Sequence, residues 1–200
     1  MADRSVPRIA YVHVKNYRAL RDVEFNDLTP LSVLTGPNGS GKSTVFDVFA
    51  FLSECFNDGL RRAWEKRGRF RELRSRGADG PIEIEVKYRE APKSTPITYH
   101  ISIDEVGGQP VVALEWLRWS RKGQGRPFEF LRFENGVGAA TAGDTPDRDA
   151  RRETVELDAP HLLAVNALGQ FESHPRVVAL RRFITGWYLS YRDLPARRLP

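Results

Sequence analysis

The sequence predicts an α/β fold, with a strand–glycine loop–helix unit near the start and an antiparallel β-meander after it. Three observations carry that expectation. Residues 36–44, GPNGSGKST, fill the pattern G-x-x-x-x-G-K-[ST] with Gly36, Gly41, Lys42 and Ser43. Apolar residues then recur at helical spacing, at Val45, Val48, Phe49, Leu52, Cys55 and Phe56. From Pro81 onward the texture changes to period-two alternation, as in IEIEVKYRE and ITYHISIDEV.

Taken in order, Arg8 to Tyr17 alternates as a strand, with Ile9, Tyr11 and His13 on one face and Ala10, Val12 and Val14 on the other. A turn at Arg18-Ala19-Leu20 leads to DVEF, a second strand. LSVLT, Leu31 to Thr35, reads as a short buried strand running into the glycine loop, and the helix leaving it spans Lys42 to about Asn57. The stretch from Pro81 holds IEIEVKYRE and ITYHISIDEV as a hairpin across APKSTP, then VVALEWLRWS, PFEFLRFENG and ETVELD as further strands. GVGAATAGDTPDRDARR reads as a polar connector, and Trp116, Trp119, Phe128, Phe130 and Phe133 as the packing face. His161 to Gln170 and Pro175 to Ile184 read as helices, and WYLSY, Trp187 to Tyr191, as a terminal strand. The whole of 1–200 is expected to form one incomplete domain: 8–57 the strand pair, loop and helix, 60–77 a basic segment, 81–158 the β subdomain, 161–200 the helical end.

Each loop position has a chemical task. Gly36, Gly39 and Gly41 accept backbone angles closed to other residues, so the chain can wrap a phosphate closely. The amides of the loop, with Pro37, Asn38, Ser40 and Thr44 among its residues, form a nest for the anion at the positive end of the helix. Lys42 is placed to reach the β- and γ-phosphates of ATP, and the Ser43 hydroxyl to take one Mg²⁺ position.

Composition is that of an ordinary globular chain, 40% hydrophobic and 28% charged, with a net charge of +5. A single cysteine, Cys55, excludes a disulfide framework and a thiolate metal site; it falls in the apolar pattern of the helix. The four histidines, His13, His100, His161 and His174, show no ligand spacing. No stretch has the length of a membrane span and the N-terminus lacks a signal-type apolar run, so the expectation is a cytoplasmic protein without a membrane partner.

The charge is concentrated. Residues 60–77 carry eight arginines and lysines against Glu65 and Glu72, a net +6, so the remainder of the chain sums to −1. The segment Arg61 to Arg76 is either a DNA contact, with Trp64 or Phe70 stacking on bases, or a solvated helix and loop anchored to the core by those two aromatics.

VHVKNYRALRDVEF followed by LTPLSVLTGPNGSGKSTVFDVFAFL resembles the opening of bacterial AAA-family ATPases of the RecF/SMC/OLD-like, ABC-type P-loop NTPase group, over about Ile9 to Phe56. The resemblance implies an ABC-ATPase-like N-terminal lobe with an antiparallel β-meander subdomain. It also implies ATP and Mg²⁺ as ligands, ATP-driven pairing with a second lobe or subunit, and roles in DNA repair or phage defence. It places Arg18, the basic residue after Asn16-Tyr17, near the nucleotide, and makes Gln170 a candidate for the glutamine that reaches Mg²⁺ and water. The later motifs of that group, an S-x-G signature and an apolar strand ending in Asp-Glu, have no clear counterpart. ISIDE, with Asp104 and Glu105, would serve in an AAA+ arrangement, but its strand alternates through Thr98, His100 and Ser102. Two other functions stay open: a non-hydrolysing ATP-binding regulatory module, and a nucleic-acid binder using the arginine segment.

Overall fold

β1 (Arg8–Tyr17) is the second strand of an eight-stranded antiparallel sheet ordered β2-β1-β3-β4-β5-β6-β7-β8. The other strands of the sheet are β2 (Leu20–Phe25), β3 (Ile82–Arg89), β4 (Ile97–Val106), β5 (Gln109–Trp119), β6 (Phe128–Glu134), β7 (Val137–Thr141) and β8 (Arg152–Glu156). The computed structural model describes residues 6–120, 127–143 and 152–189. Every pairing in the sheet is antiparallel.

Alternation sets the register. Val14 lies opposite Ile84 and Ile84 opposite Ile101, so the apolar residues of β1, β3 and β4 share one face. All three are buried. A one-residue slip would turn each of them to the other face, which is lined by polar residues such as His13, Glu85 and Arg118.

Helices cover the apolar face. α1 (Lys42–Asn57) buries Val45, Val48, Phe51, Leu52, Cys55 and Phe56, with Phe51 tilted on Tyr17 and Phe56 edge-on to Tyr99. α2 (Leu60–Lys66) and α3 (Arg69–Leu73) follow, then α4 (Ala164–Leu168) and α5 (Pro175–Thr185) after the sheet. Glu115, fully buried on β5, accepts hydrogen bonds from the Ala164 and Val165 amides (2.6 and 3.3 Å) and the Tyr99 hydroxyl (2.9 Å), fixing the start of α4. Burial pushes the Glu115 carboxyl up to about 7, although those three donors pull the other way. α5 begins with proline at its first turn and buries Val177, Leu180 and Ile184 at helical spacing.

Four expectations change. LSVLT is not a strand: Leu31 to Thr35 is irregular chain without a ladder, and Leu31 and Val33 are 81% and 75% exposed. A strand forms where neighbouring backbone accepts its hydrogen bonds, and none lies alongside this segment among the described residues. The connector after residue 136 contains β7, entered from Asn135-Gly136, both at positive φ (49° and 83°), the two-residue turn that suits an antiparallel hairpin. Trp116 sits on the polar face, stacked on His100 at 5.0 Å, whereas Phe130 and Phe133 do bury in the core. Of the terminal strand, Trp187 to Leu189 has no strand pairing, and residues 190 and 191 lie outside the described residues. Among the described residues no helix is long and apolar enough to cross a membrane.

Candidate nucleotide-binding site

The loop Gly36 to Thr44 runs from the unpaired segment into the first turn of α1. Gly41 precedes the helix at φ 92°, the left-handed region that favours glycine, and a Cβ there would come into contact with Leu20 and Ala19 of the β1–β2 turn at 3.5 and 3.7 Å. Gly36, at φ 152°, leaves room that a Cβ would take from the Ser40 hydroxyl, 3.0 Å away. These positions need glycine for geometry as well as for phosphate approach.

α1 starts with no side-chain cap and no acidic residue in its first turn. Its first amides therefore point at the loop, an arrangement that favours an anion. The Lys42 ammonium donates to the carbonyl oxygens of Gly36 (2.8 Å) and Pro37 (2.6 Å) and approaches the Ser40 Oγ at 3.4 Å. A phosphate at the loop would compete with these carbonyls for the same charge. Ser43 is exposed on the first turn of the helix, the position from which a hydroxyl can join a Mg²⁺ shell.

A carboxylate network lies one turn further along α1. Asp47 Oδ2 accepts hydrogen bonds from the Tyr17 hydroxyl (2.7 Å) and Arg18 Nη1 (2.8 Å), and Oδ1 accepts one from Arg67 Nε (3.0 Å). Arg67, its side chain only 7% exposed, also donates to Glu54 through Nη1 and lies over the Phe51 ring. Lys66 completes the cluster by donating to Glu54 at 2.6 Å. Burial opposes the Glu54 charge, but hydrogen bonds from Arg67 and Lys66 outweigh it and hold the carboxyl below its usual range. For Tyr17, burial and then Asp47 push the phenol well above its ordinary value, so it stays a donor. The network clamps the loop-bearing helix to β1 and to α2.

The structure brings Gly36–Thr44 and Arg18 to one end of α1. Gln170 lies elsewhere. It lines a cleft with Asp58, Arg62 and His161 beyond the C-terminal end of α1, and its neighbour Asn166 donates to the Cys55 carbonyl at 2.9 Å. Cys55 is thirteen residues after Lys42, about 20 Å along the helix at the usual rise, so Gln170 and the loop are not brought together. Asp104 and Glu105 lie at the end of β4, which pairs with β3 and β5 and not with the chain leading to the loop. Trp64 and Phe70 are buried, which removes them as base-stacking platforms and leaves them as anchors. Cys55 is wholly buried, and that burial pushes its thiol far up.

The model of the AAA ATPase domain family matches residues 8–145. The chain belongs to that family. No curated protein matches it. In this AAA ATPase domain the matched span runs from β1 through β7, so it contains the loop, α1 and the carboxylate network. Membership makes ATP binding and hydrolysis the family's general activity.

Sequence reasoning missed the hub at Asp47 and the pin at Glu115. Both left a trace: each is the one acid inside an otherwise apolar stretch, VFDVFAFL and VVALEWL. A carboxylate in such a place requires donors, and those donors are the structure's cross-links.

Proposed function

We propose that this chain is the nucleotide-binding lobe of an ATPase of the RecF/SMC/OLD-like, P-loop group, working with a second lobe or subunit that completes the site. The observation that carries the reading is the uncapped start of α1 joined to a glycine loop that gathers Lys42. In it, the loop amides and Lys42 hold the β- and γ-phosphates, and Ser43 holds Mg²⁺. When bound, Mg²⁺ would neutralise charge between the two phosphates. Arg18, at the β1–β2 turn beside Gly41, is the further cation of the site, and Asp47 holds it in reserve. Asp47 itself already serves three donors and offers no free oxygen to orient water.

Two features support a missing partner surface. The chain entering the loop exposes Leu31 and Val33, and the groove beside it, about 410 Å³, is lined by Phe25, Leu34, Val45, Phe46 and Trp187. Phe46, on α1, is itself 48% exposed. An unpaired, apolar segment at the phosphate loop suits a further strand laid beside it. A non-hydrolysing ATP-binding role is the second reading, favoured by the engaged state of Asp47.

Calorimetric titration with Mg-ATP tests the proposal. Wild-type chain should bind, and Lys42→Ala should weaken binding by at least tenfold while melting at the same temperature. Equal binding by both would contradict it. Turnover by the 200-residue chain alone would remove the need for a second lobe.

A further inference from the structure

The basic segment that stands out in the sequence does not act as one surface. Lys66 and Arg67 are spent on Glu54 and Asp47, and Arg61 engages Gln109 (2.8 Å) and Glu65. Its later arginines turn the other way. Arg71, Arg74 and Arg76 meet Arg18 and Arg21, from the β1–β2 turn some fifty residues earlier, around a cleft of about 360 Å³. Among the described residues, Glu72 is the only acid lining it. Arg18, at the cleft, is paired with Asp47 at 2.8 Å, and Ala19, also in its lining, is within reach of a Cβ added at Gly41 of the phosphate loop.

The frame of the cleft is fixed by backbone. The Arg18 amide donates to the Leu73 carbonyl (2.6 Å), the Ser75 amide to Asn16 (3.0 Å), and the Ser75 hydroxyl to Leu20 (3.3 Å). Tyr17 and Arg74 form an isolated antiparallel bridge. Asn16 and Arg18 are held at positive φ, 56° and 49°, a conformation costing about 1 kcal/mol each that such cross-bonds sustain. Arg74 lies against Phe70 at 4.9 Å, and Arg21 donates to the Arg76 carbonyl at 2.7 Å, so two guanidinium planes are already oriented. With Arg18 already paired to Asp47, four further guanidinium groups share the cleft with one acid, Glu72; an anion would relieve their repulsion, and their planar forks match phosphate oxygens.

We propose that this cleft is a second phosphate site, beside the nucleotide loop, which takes the phosphodiester backbone of duplex DNA. Backbone contact is the mode the lining allows. Among the described residues no exposed aromatic ring lines the cleft, and the aromatics of the basic segment are buried, so base stacking of the kind that favours single strands has no platform. The contact is sequence-independent and salt-sensitive. The cleft shares Arg18 with the proposed nucleotide site, but Arg21, Arg71, Arg74 and Arg76 belong to the cleft alone, so the inference stands or falls on those four and not on the nucleotide reading.

Anisotropy of a fluorescently labelled 20-base-pair duplex, titrated with the full chain at several salt concentrations, tests it. Arg71→Glu with Arg74→Glu should weaken binding tenfold or more and lower the salt slope by about 2. Arg21→Glu with Arg76→Glu, from the facing wall, should do the same, guarding against a fold defect in either pair. Arg61→Glu with Arg62→Glu carries the same charge change in the same segment, away from the cleft, and should cost less than threefold. Lys42→Ala should retain duplex binding. Equal losses in all three charge-reversed pairs, no duplex binding by wild type, or displacement of the duplex by polyglutamate at equal charge would overturn the proposal.

Discussion

Strand β3 and the segment Leu31 to Thr35 are built from similar residues and end in opposite surroundings. IEIEVKYR lies between β1 and β4, and its Ile82, Ile84 and Val86 are buried beneath the helices. LSVLT is at least as apolar, with Leu31, Val33 and Leu34 among its five residues, but its Leu31 and Val33 face solvent and its backbone has no ladder. Both stretches carry strand-favouring apolar residues; what separates them is the supply of hydrogen-bonding neighbours. The domain is therefore finished on its sheet side and open where the phosphate loop begins.

The largest expected contrast is in stability. Phe51→Ala should cost about 3–5 kcal/mol in urea unfolding, because the ring is fully buried between Tyr17 and Arg67. Val33→Ala should cost less than about 0.5 kcal/mol, as exposed side chains do. Comparable losses would mean that the open segment is packed in solution, and the contrast between the two regions would fail.

Next comes the clamp that holds the loop-bearing helix. Arg67→Ala removes the one donor that Asp47 and Glu54 share and leaves a space in its place, with Tyr17, Arg18 and Lys66 still engaged, and should cost about 2–3 kcal/mol. Lys66→Ala, at the exposed end of the same network, should stay within about 1 kcal/mol. Equal effects in chemical denaturation would show that the network is a surface feature.

A smaller effect belongs to the β6–β7 turn. Gly136→Ala, at φ 83°, should cost about 1 kcal/mol through strain in a position that favours glycine. An unchanged melting temperature would show that the turn relaxes.

The last is a pH effect at Glu115. Its carboxyl sits near 7 in the fold against 4.5 as a free group, so the folded state holds the extra proton between those values. Stability from this group is then fully present at low pH and declines as pH rises toward about 7 and past it. His100 works in reverse: burial first, then Arg118, lower it from 6.5 to about 4, so its contribution grows from pH 4 to 6.5. Glu115→Gln removes only the first. Relative to wild type, the variant should gain stability between pH 5 and pH 8, read by thermal melts at both. A constant difference would place the Glu115 titration elsewhere.

Much of this was legible in the sequence, for reasons that particular residues make plain. Alternation exposed β1, β3 and β4 because one face is apolar and the other polar, and helical spacing exposed α1 through Val45, Val48, Leu52 and Phe56. β7 escaped because VGAAT has small residues and little alternation; only the Asn135-Gly136 pair announced it. The unpaired state of LSVLT could not be read locally, since it depends on which strands stand nearby. At the site, GPNGSGKST was explicit, whereas the arginine cleft joins residues 18 and 21 to residues 71–76, and no local pattern connects them. The run of charge from Arg61 to Arg76 concealed a division that follows from which carboxylates lie within reach.

The central claim is that Gly36 to Thr44 holds the nucleotide at the start of α1, beside the unpaired chain that leads into the loop. Amide hydrogen exchange with and without Mg-ATP tests it most directly. Slower exchange across residues 36–45 in wild type, absent in Lys42→Ala, with the sheet amides unchanged in both, is the predicted result. Exchange in the loop that ignores nucleotide, or protection that survives the loss of Lys42, would contradict it.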